Sequence, residues 1–159
     1  KGVAFFVPAG RIHNIGEGLV IAEIQQSSDI TYRIHDFDRR DDQGNPRELH
    51  IKEALEVLSF EPIKTGKVSY ADQLNEPSRL ASCAHFDINR IRLSRSLSRD
   101  LKETDSFVIY LCLEGELTLE VEGHSVKLLK GDVYLVPAIF NKVLLKPKQD
   151  SLVLETYIP

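Results

Sequence analysis

A short internal repeat constrains the fold of this chain more than any other feature. Lys-Gly, a five-residue run rich in β-forming residues, and then Pro-Ala occur at residues 1–9 and again at residues 130–138. Glycine supplies a turn before each run, and proline, which has no N–H to donate, ends it. Because a recurring pattern indicates a recurring structural unit, we expect two copies of one β-rich unit along the chain.

Segments that alternate between apolar and polar residues precede the second copy. They lie at residues 84–93, 106–113, 117–121 and 125–129, and a further segment at 152–158 follows that copy. Short strands separated by turns predict an all-β sandwich or barrel. No such segments precede the first copy, and the sequence contains no Met, position 1 included. We therefore expect a first barrel that has lost its N-terminal half, followed by a complete second barrel.

The one good helix signal lies between the two copies, at residues 46–59. Asn45 can cap this helix, and Pro46 suits its first position. Apolar side chains then recur on roughly one face, which we expect to pack on β-structure. They include Leu49, Leu55 and Leu58.

The predicted fold is mainly β, a jelly-roll barrel of the double-stranded β-helix type with one short helix. Residues 1–40 are expected to form the C-terminal strands of the truncated first barrel, with several strands within residues 1–35. Residues 41–81 are expected to hold the helix and a linker. Residues 82–159 are expected to form the second barrel.

Composition excludes several classes of protein. With 20 Lys and Arg against 24 Asp and Glu, the formal net charge is −4, so the chain lacks the basic surface of a general nucleic-acid binder. No apolar run approaches the roughly 20 residues that cross a bilayer as a helix. Cys83 and Cys112 are too few and too far apart for a disulfide framework or a zinc ribbon. We expect a cytoplasmic protein with reduced cysteines that binds neither nucleic acid nor a membrane.

His13 is the one histidine that stands in a metal-binding pattern. The spacing G-x5-P-x-G-x2-H, which ends at His13, resembles the second signature of the cupin superfamily, in which the histidine projects into the barrel and binds a metal. The family pattern continues to an Asn where this chain has Glu17. In the second copy, Ile139 replaces the second glycine and Lys142 replaces the histidine. The second barrel is therefore expected to carry no metal site.

Four further motifs lie within residues 8–55: PAGRIHNIGEG from residue 8, EIQQSSDITYR from residue 23, HDFDR from residue 35 and RELHIKEAL from residue 47. In combination they resemble the small bacterial type I mannose-6-phosphate isomerases, also called phosphomannose isomerases. The resemblance implies a zinc-dependent aldose–ketose isomerase that interconverts mannose 6-phosphate and fructose 6-phosphate. It also implies that His13 is a zinc ligand, that Arg33 is the active-site arginine, and that Glu23 is an acidic residue of the same pocket.

The chemistry of this reaction suits these residue types. Moving a proton between C2 and C1 through a cis-enediolate needs a base, here Glu23, and a group that stabilises the developing oxyanion, here Arg33. Arg47 and His50 are candidate ligands of the hexose phosphate. A catalytic zinc normally has three protein ligands, and His13 is the one present. The other ligands are therefore expected in a preceding half, and this chain alone is expected to be inactive.

Two other functions fit the same residues. A non-enzymatic sugar-binding or regulatory protein with two cupin barrels would keep the PAGRIH turn as architecture. A cupin isomerase or epimerase could instead act on another phosphosugar. An absence of metal ligands in the preceding half would favour the first alternative, and assays of a full-length protein against several hexose phosphates would test the second.

Overall fold

The structure is a computed structural model that describes residues 2–28, 30–62 and 66–159. Their regular elements are one helix, α1, and nine strands, β1 to β9. In chain order these are α1 (Ile51–Val57), β1 (Pro77–Ser82), β2 (Asp87–Leu93), β3 (Leu97–Asp100), β4 (Val108–Glu114), β5 (Glu116–Val121), β6 (His124–Leu129), β7 (Val133–Val136), β8 (Lys142–Pro147) and β9 (Ser151–Tyr157). The prediction of a mainly β chain with one short helix is confirmed.

The strands form two antiparallel sheets. One has the order β1-β2-β9-β4-β7, and the other has the order β3-β8-β5-β6. Neighbours in a sheet are often distant in sequence, so the connections pass repeatedly between the sheets, as in a jelly roll. The apolar core includes Ile91, Leu93, Val108, Tyr110, Cys112, Leu117, Leu128, Val143, Leu145 and Val153.

Strand β5 shows how the sequence pattern produces this core. Leu117, Leu119 and Val121 are at most 6% exposed, and the residues between them are only partly buried. Successive side chains on a strand point to opposite faces, so strict alternation gives one apolar face. Each of the five predicted segments overlaps a strand of the structure, and the Gly131 repeat unit contains β7.

Three strands, β1, β3 and β8, were not predicted. Strands β1 and β3 lie at sheet edges, where each pairs on one side only. Strand β1 contains Pro77 and two serines, a composition that resembles a loop, and its pairing with β2 shifts register between Arg79 and Ala81. Strand β8 lies inside its sheet. Its apolar residues Val143 and Leu145, two positions apart in sequence and both fully buried, could have indicated it. Because β1 pairs with β2, residues 77–81 belong to the sheet and not to a linker.

The strands expected within residues 1–35 do not form in the described part of that segment. Apolar side chains that a strand would bury are exposed there, among them Ile12 (60%), Leu19 (64%) and Val20 (101%). A strand needs a neighbour that satisfies its backbone N–H and C=O groups, and these residues have no ladder partner among the described residues. The apolar residues are present in this segment, but the neighbouring strand that would pair with them is not among the described residues.

Helix α1 is shorter than predicted and begins five residues later. Asn45 does not cap it, because the Asn45 backbone N–H and side-chain amide both donate to the Asp41 carboxylate, at 2.8 and 3.3 Å. His50 takes the N-cap position without a side-chain capping bond, and Ala54 is the buried residue of the helix. Leu49 and Leu55 are 47% and 59% exposed, so the expected packing of that face is wrong for this chain.

The chain divides into two compact units. One comprises Lys67–Pro159 with a short N-terminal segment, and the other comprises Phe5–Gly66. The first unit thus begins well before residue 82, where the second barrel was expected to start. That residues 1–40 are the end of a first barrel stays a prediction. No helix in the described ranges is long and apolar enough to span a membrane.

Candidate functional site

Three of the predicted site residues meet in the unit Phe5–Gly66. The backbone N–H of His50 donates to the carbonyl of Arg33 at 2.8 Å, and the backbone N–H of Arg33 donates to His50 Nδ1 at 3.3 Å. Arg33 Nη1 donates to the backbone carbonyl of Glu48 at 3.2 Å. Together with Asp36 and Arg47, these residues form what we call the Arg33 cluster.

The carboxylate of Asp36 lies between the two arginines of the cluster. Arg47 Nε donates to Asp36 Oδ2 at 2.7 Å, and Arg47 Nη2 contacts Asp36 Oδ1. Arg33 Nε lies 3.7 Å from the same Oδ1, and the Asp36 side chain is only 11% exposed. The hydrogen bonds from Arg47, followed by the charges of Arg47 and Arg33, lower the pKa of Asp36. Asp36 therefore stays ionised at neutral pH as the shared counter-ion of both arginines.

Arg33 is restrained but is not saturated. A guanidinium has five N–H donors, and within the described residues the one side-chain hydrogen bond of Arg33 is that to Glu48. Its side chain is 23% exposed, so a ligand can reach the remaining donors. A fixed cation with unused, coplanar donors is suited to hold a phosphate or a developing enolate oxygen.

His50 is oriented by its contact with the Arg33 backbone. Because Nδ1 accepts the Arg33 N–H, neutral His50 carries its proton on Nε2. That Nε2 lies 3.9 Å from the Glu48 carboxylate, and the Tyr32 ring lies 6.1 Å from the imidazole, centroid to centroid. His50 is thus a half-buried donor beside Arg33.

His13 and Glu23 do not join this cluster through any hydrogen bond or ion pair among the described residues. Both side chains are exposed. His13 Nδ1 donates to the Arg11 carbonyl at 2.9 Å, which leaves Nε2 with a free lone pair. No group of three His, Cys, Asp or Glu side chains that could hold a metal occurs in the described part of the chain.

A second polar cluster, which the sequence did not predict, lies inside the unit of Lys67–Pro159. Glu155 is fully buried and accepts hydrogen bonds from Arg99 Nε and Nη2 (2.8 and 2.9 Å), from the Tyr110 hydroxyl (2.8 Å) and from the Asn89 amide (2.9 Å). Burial, followed by the neighbouring Glu155 charge, raises the pKa of Tyr110 well above its ordinary value. Polar residues at inward-facing positions of the strands could have indicated this cluster. Its members, however, come from four strands, β2, β3, β4 and β9, and Glu155 on β9 is far in sequence from the other three. We call these four residues the Glu155 network.

Comparison with known protein families identifies this unit. Residues 78–153 match the family model described as "Mannose-6-phosphate isomerase, cupin domain". The resemblance predicted from the motifs of residues 8–55 is thus confirmed from a different part of the chain.

Curated relatives agree with the cupin-domain assignment. The chain is 36% identical over 138 residues to the mannose-6-phosphate isomerase ManA of Bacillus subtilis (strain 168), and the match covers 86% of this chain and 43% of that protein. It is also 36% identical over 137 residues to the mannose-6-phosphate isomerase of Streptococcus mutans, with the same coverages. The chain thus spans less than half the length of these relatives.

Solved structures support the cupin fold. The mannose 6-phosphate isomerase from Bacillus subtilis superposes with a TM-score of 0.66 at 24% identity, covering 82% of this chain and 41% of that one. A phosphomannose isomerase variant from Salmonella typhimurium gives a TM-score of 0.58 at 18% identity, covering 72% and 29%. The predicted jelly-roll fold of the cupin type is confirmed.

Proposed function

We propose that this chain is the C-terminal part of a mannose-6-phosphate isomerase, an enzyme that interconverts mannose 6-phosphate and fructose 6-phosphate. The observation that carries the proposal is the Arg33 cluster, in which a restrained guanidinium has most of its donors unused by the described residues. The names of the relatives support the same activity and a hexose phosphate as the small-molecule partner.

The residues of this chain divide the work of the reaction. Arg33 stabilises the negative charge of the cis-enediolate or holds the phosphate, because its free N–H groups can bind two oxygens at once. Glu23 is the proposed base that moves the proton between C2 and C1, which requires it to approach the substrate in the complete enzyme. His50 is a neighbouring donor to the substrate. Arg47 was predicted as a ligand too, although its fork is occupied by Asp36.

Zinc is the cofactor that the proposal implies, and His13 is the residue here that would bind it. The Nδ1–H bond from His13 to the Arg11 carbonyl is the arrangement in which a histidine offers Nε2 to a metal. One imidazole does not complete a site, so we place the other ligands in the part of the enzyme that precedes this chain. Zinc would supply Lewis-acid polarisation of the substrate oxygens.

The partial coverage of its relatives leads us to propose that this chain is inactive alone. It spans 43% of each of two curated relatives, and its residues 12–30 expose apolar side chains such as Ile15, Leu19, Val20 and Ile21. Such exposure is typical of surface that another segment covers. We also propose a cytoplasmic location, which the free cysteines Cys83 and Cys112 support.

Replacement of Arg33 by lysine in a full-length protein that carries this chain tests the proposal. Lysine keeps the charge and loses the planar fork, so we expect turnover on mannose 6-phosphate to fall about 100-fold or more. Arg95→Lys is the matched control, because the Arg95 side chain is exposed and its recorded hydrogen bond, to Asn75 Oδ1, comes from the backbone N–H. Turnover unchanged by Arg33→Lys would refute the role of Arg33.

The same preparation separates the alternatives. A full-length protein that isomerises another hexose phosphate faster than mannose 6-phosphate would point to a different phosphosugar substrate. A protein that binds hexose phosphates without converting any of them would point to a sugar-binding or regulatory role. Either result would overturn the proposed reaction while leaving the cupin fold intact.

A further inference from the structure

We infer that Asp36 and Arg47 are positioning residues for Arg33. Arg47 then acts on the substrate only indirectly, through Asp36 and Arg33. The inference rests on the proposed function, and it changes the role first predicted for Arg47. Asp36 is the central residue, because it contacts both arginines.

The two arginines of the cluster use their donors differently. Arg47 directs Nε and Nη2 at the two Asp36 oxygens, so the edge that would grip a phosphate is already occupied by a carboxylate. Arg33 approaches Asp36 at 3.7 Å, which provides electrostatic attraction without consuming a hydrogen bond. Arg33 is therefore held in place with its fork free, whereas the fork of Arg47 is not.

Charge leads to the same division of roles. Two guanidinium groups and one carboxylate leave one net positive charge on the trio. Arg47 offsets its own charge by donating directly to Asp36, and its hydrogen bonds are the largest cause of the lowered pKa of that carboxyl. Arg33, the less exposed of the two arginines at 23% against 44%, shares this counter-ion without donating a hydrogen bond to it. Of the two arginines, Arg33 is therefore the one whose charge is less fully neutralised and can attract a substrate anion.

The backbone contacts explain how Arg47 reaches Arg33. Two residues of the segment that begins at Arg47 hold Arg33. The Glu48 carbonyl accepts from the Arg33 guanidinium, and His50 bonds the Arg33 backbone through its own backbone N–H and through Nδ1 of its ring. The Arg47–Asp36 pair fastens the start of this segment to the chain three residues after Arg33. Loss of the pair frees both the carbonyl and the carboxylate that restrain the Arg33 guanidinium.

A double-mutant cycle in a full-length protein that carries this chain tests the inference. Arg47→Gln and Asp36→Asn should each lower kcat on mannose 6-phosphate about 10-fold or more, because a catalytic group displaced by about 1 Å can cost 100-fold. In an Arg33→Lys background, Arg47→Gln should lower kcat by less than about twofold, because residues that act through one another are not additive. Arg40→Gln, which removes a loop contact to Gly44, is the control.

Three results would overturn the inference. Full additivity of Arg47→Gln and Arg33→Lys would mean that Arg47 touches the substrate directly. No effect of Arg47→Gln on kcat would mean that the pair positions nothing. A loss of activity that parallels a loss of folded protein, at unchanged kcat per folded molecule, would mean that the pair is only structural.

A spectroscopic measurement separates failure of this inference from failure of the proposed function. The 15Nε–1Hε resonance of Arg33 reports the order of its guanidinium without any substrate. We expect Arg47→Gln and Asp36→Asn to lower its order parameter and Arg40→Gln to leave it unchanged. If Arg33→Lys proves active, the proposed role of Arg33 fails, and this order parameter alone supports or overturns the positioning.

Discussion

The Glu155 network makes a strong prediction about stability. Arg99 lies on β3 of the four-stranded sheet, whereas Asn89, Tyr110 and Glu155 lie on β2, β4 and β9 of the other sheet. The paired hydrogen bonds between Arg99 and Glu155 therefore join the two sheets across the core. We predict that Arg99→Met destabilises the domain far more than its partial exposure suggests.

The magnitude follows from the burial of the two partners. Glu155 is fully buried, whereas Arg99 is 22% exposed. Removing Arg99 leaves a buried carboxylate with two neutral donors, and breaking a buried pair from one side costs about 3–5 kcal/mol. Glu155→Gln leaves an arginine that water can reach, so we expect a smaller loss of about 1–3 kcal/mol. Replacing both residues by apolar ones should cost less than Arg99→Met alone.

Urea unfolding followed by circular dichroism measures these free energies of unfolding. For a domain of under 100 residues, a loss of about 3 kcal/mol lowers Tm by about 12 °C or more. Arg95→Met is the control, since an exposed side chain of this kind is worth within about 0.5 kcal/mol. If Arg99→Met lowers the free energy of unfolding no more than Arg95→Met does, the buried pair is not coupled as argued. The same conclusion follows if replacing both residues costs as much free energy as the two single replacements added together.

Three further predictions concern other parts of the chain. Gly115→Ala should cost more than Gly123→Ala in urea unfolding: both have positive φ, but a Cβ at Gly115 would lie 2.4 Å from Ser151 Oγ, whereas Gly123 has open space. Elemental analysis after dialysis should find well under one zinc per chain here, since His13 alone cannot close a site; stoichiometric zinc would contradict this. The lowered pKa of Asp36 means that its contribution to stability is present above its unfolded pKa and is lost as pH falls through the lower folded value. Its carbon NMR titration should therefore move to higher pH in Arg47→Gln, and an unmoved midpoint would refute the contact.

Sequence alone predicted the strands whose side chains alternate, because alternation records burial directly. Strand β5 is the clearest case, with Leu117, Leu119 and Val121 facing the core. Edge strands were missed because pairing on one side imposes a weaker demand on composition, and β1 could therefore begin with Pro77. The helix began late because Asn45 had a better hydrogen-bond partner in Asp41 than the helix end offered.

The candidate site was predictable in its members but not in its connections. The sequence singled out Arg33, Arg47 and His50. The structure places Arg33 and His50 in contact and links Arg47 to Arg33 through Asp36. Asp36 was not predicted, because nothing in the sequence pattern says which of several acidic residues faces two arginines. The Glu155 network was missed for a related reason. Its partners lie 45–66 positions from Glu155 in sequence, and only the pairing of strands brings them together.

The two copies of the repeat show why local pattern and strand formation are separate matters. In the second copy, Val133–Val136 forms β7 because β4 supplies its hydrogen-bonding partner. The first copy carries the same glycine, apolar run and proline, yet Phe5 remains 66% exposed and no strand forms among the described residues before α1. The first copy has isolated backbone pairing, since Phe6 donates to the Gly66 carbonyl and Val68 donates to the Ala4 carbonyl, both at 2.9 Å. Its propensity is comparable, so the difference lies in a ladder that does not extend beyond this bridge. The same contrast holds for the equivalent positions His13 and Lys142 of the two copies. Lys142 begins the paired strand β8, whereas His13 lies outside any strand of the described residues. The chemistry proposed for His13 therefore depends on a neighbouring strand to give it direction.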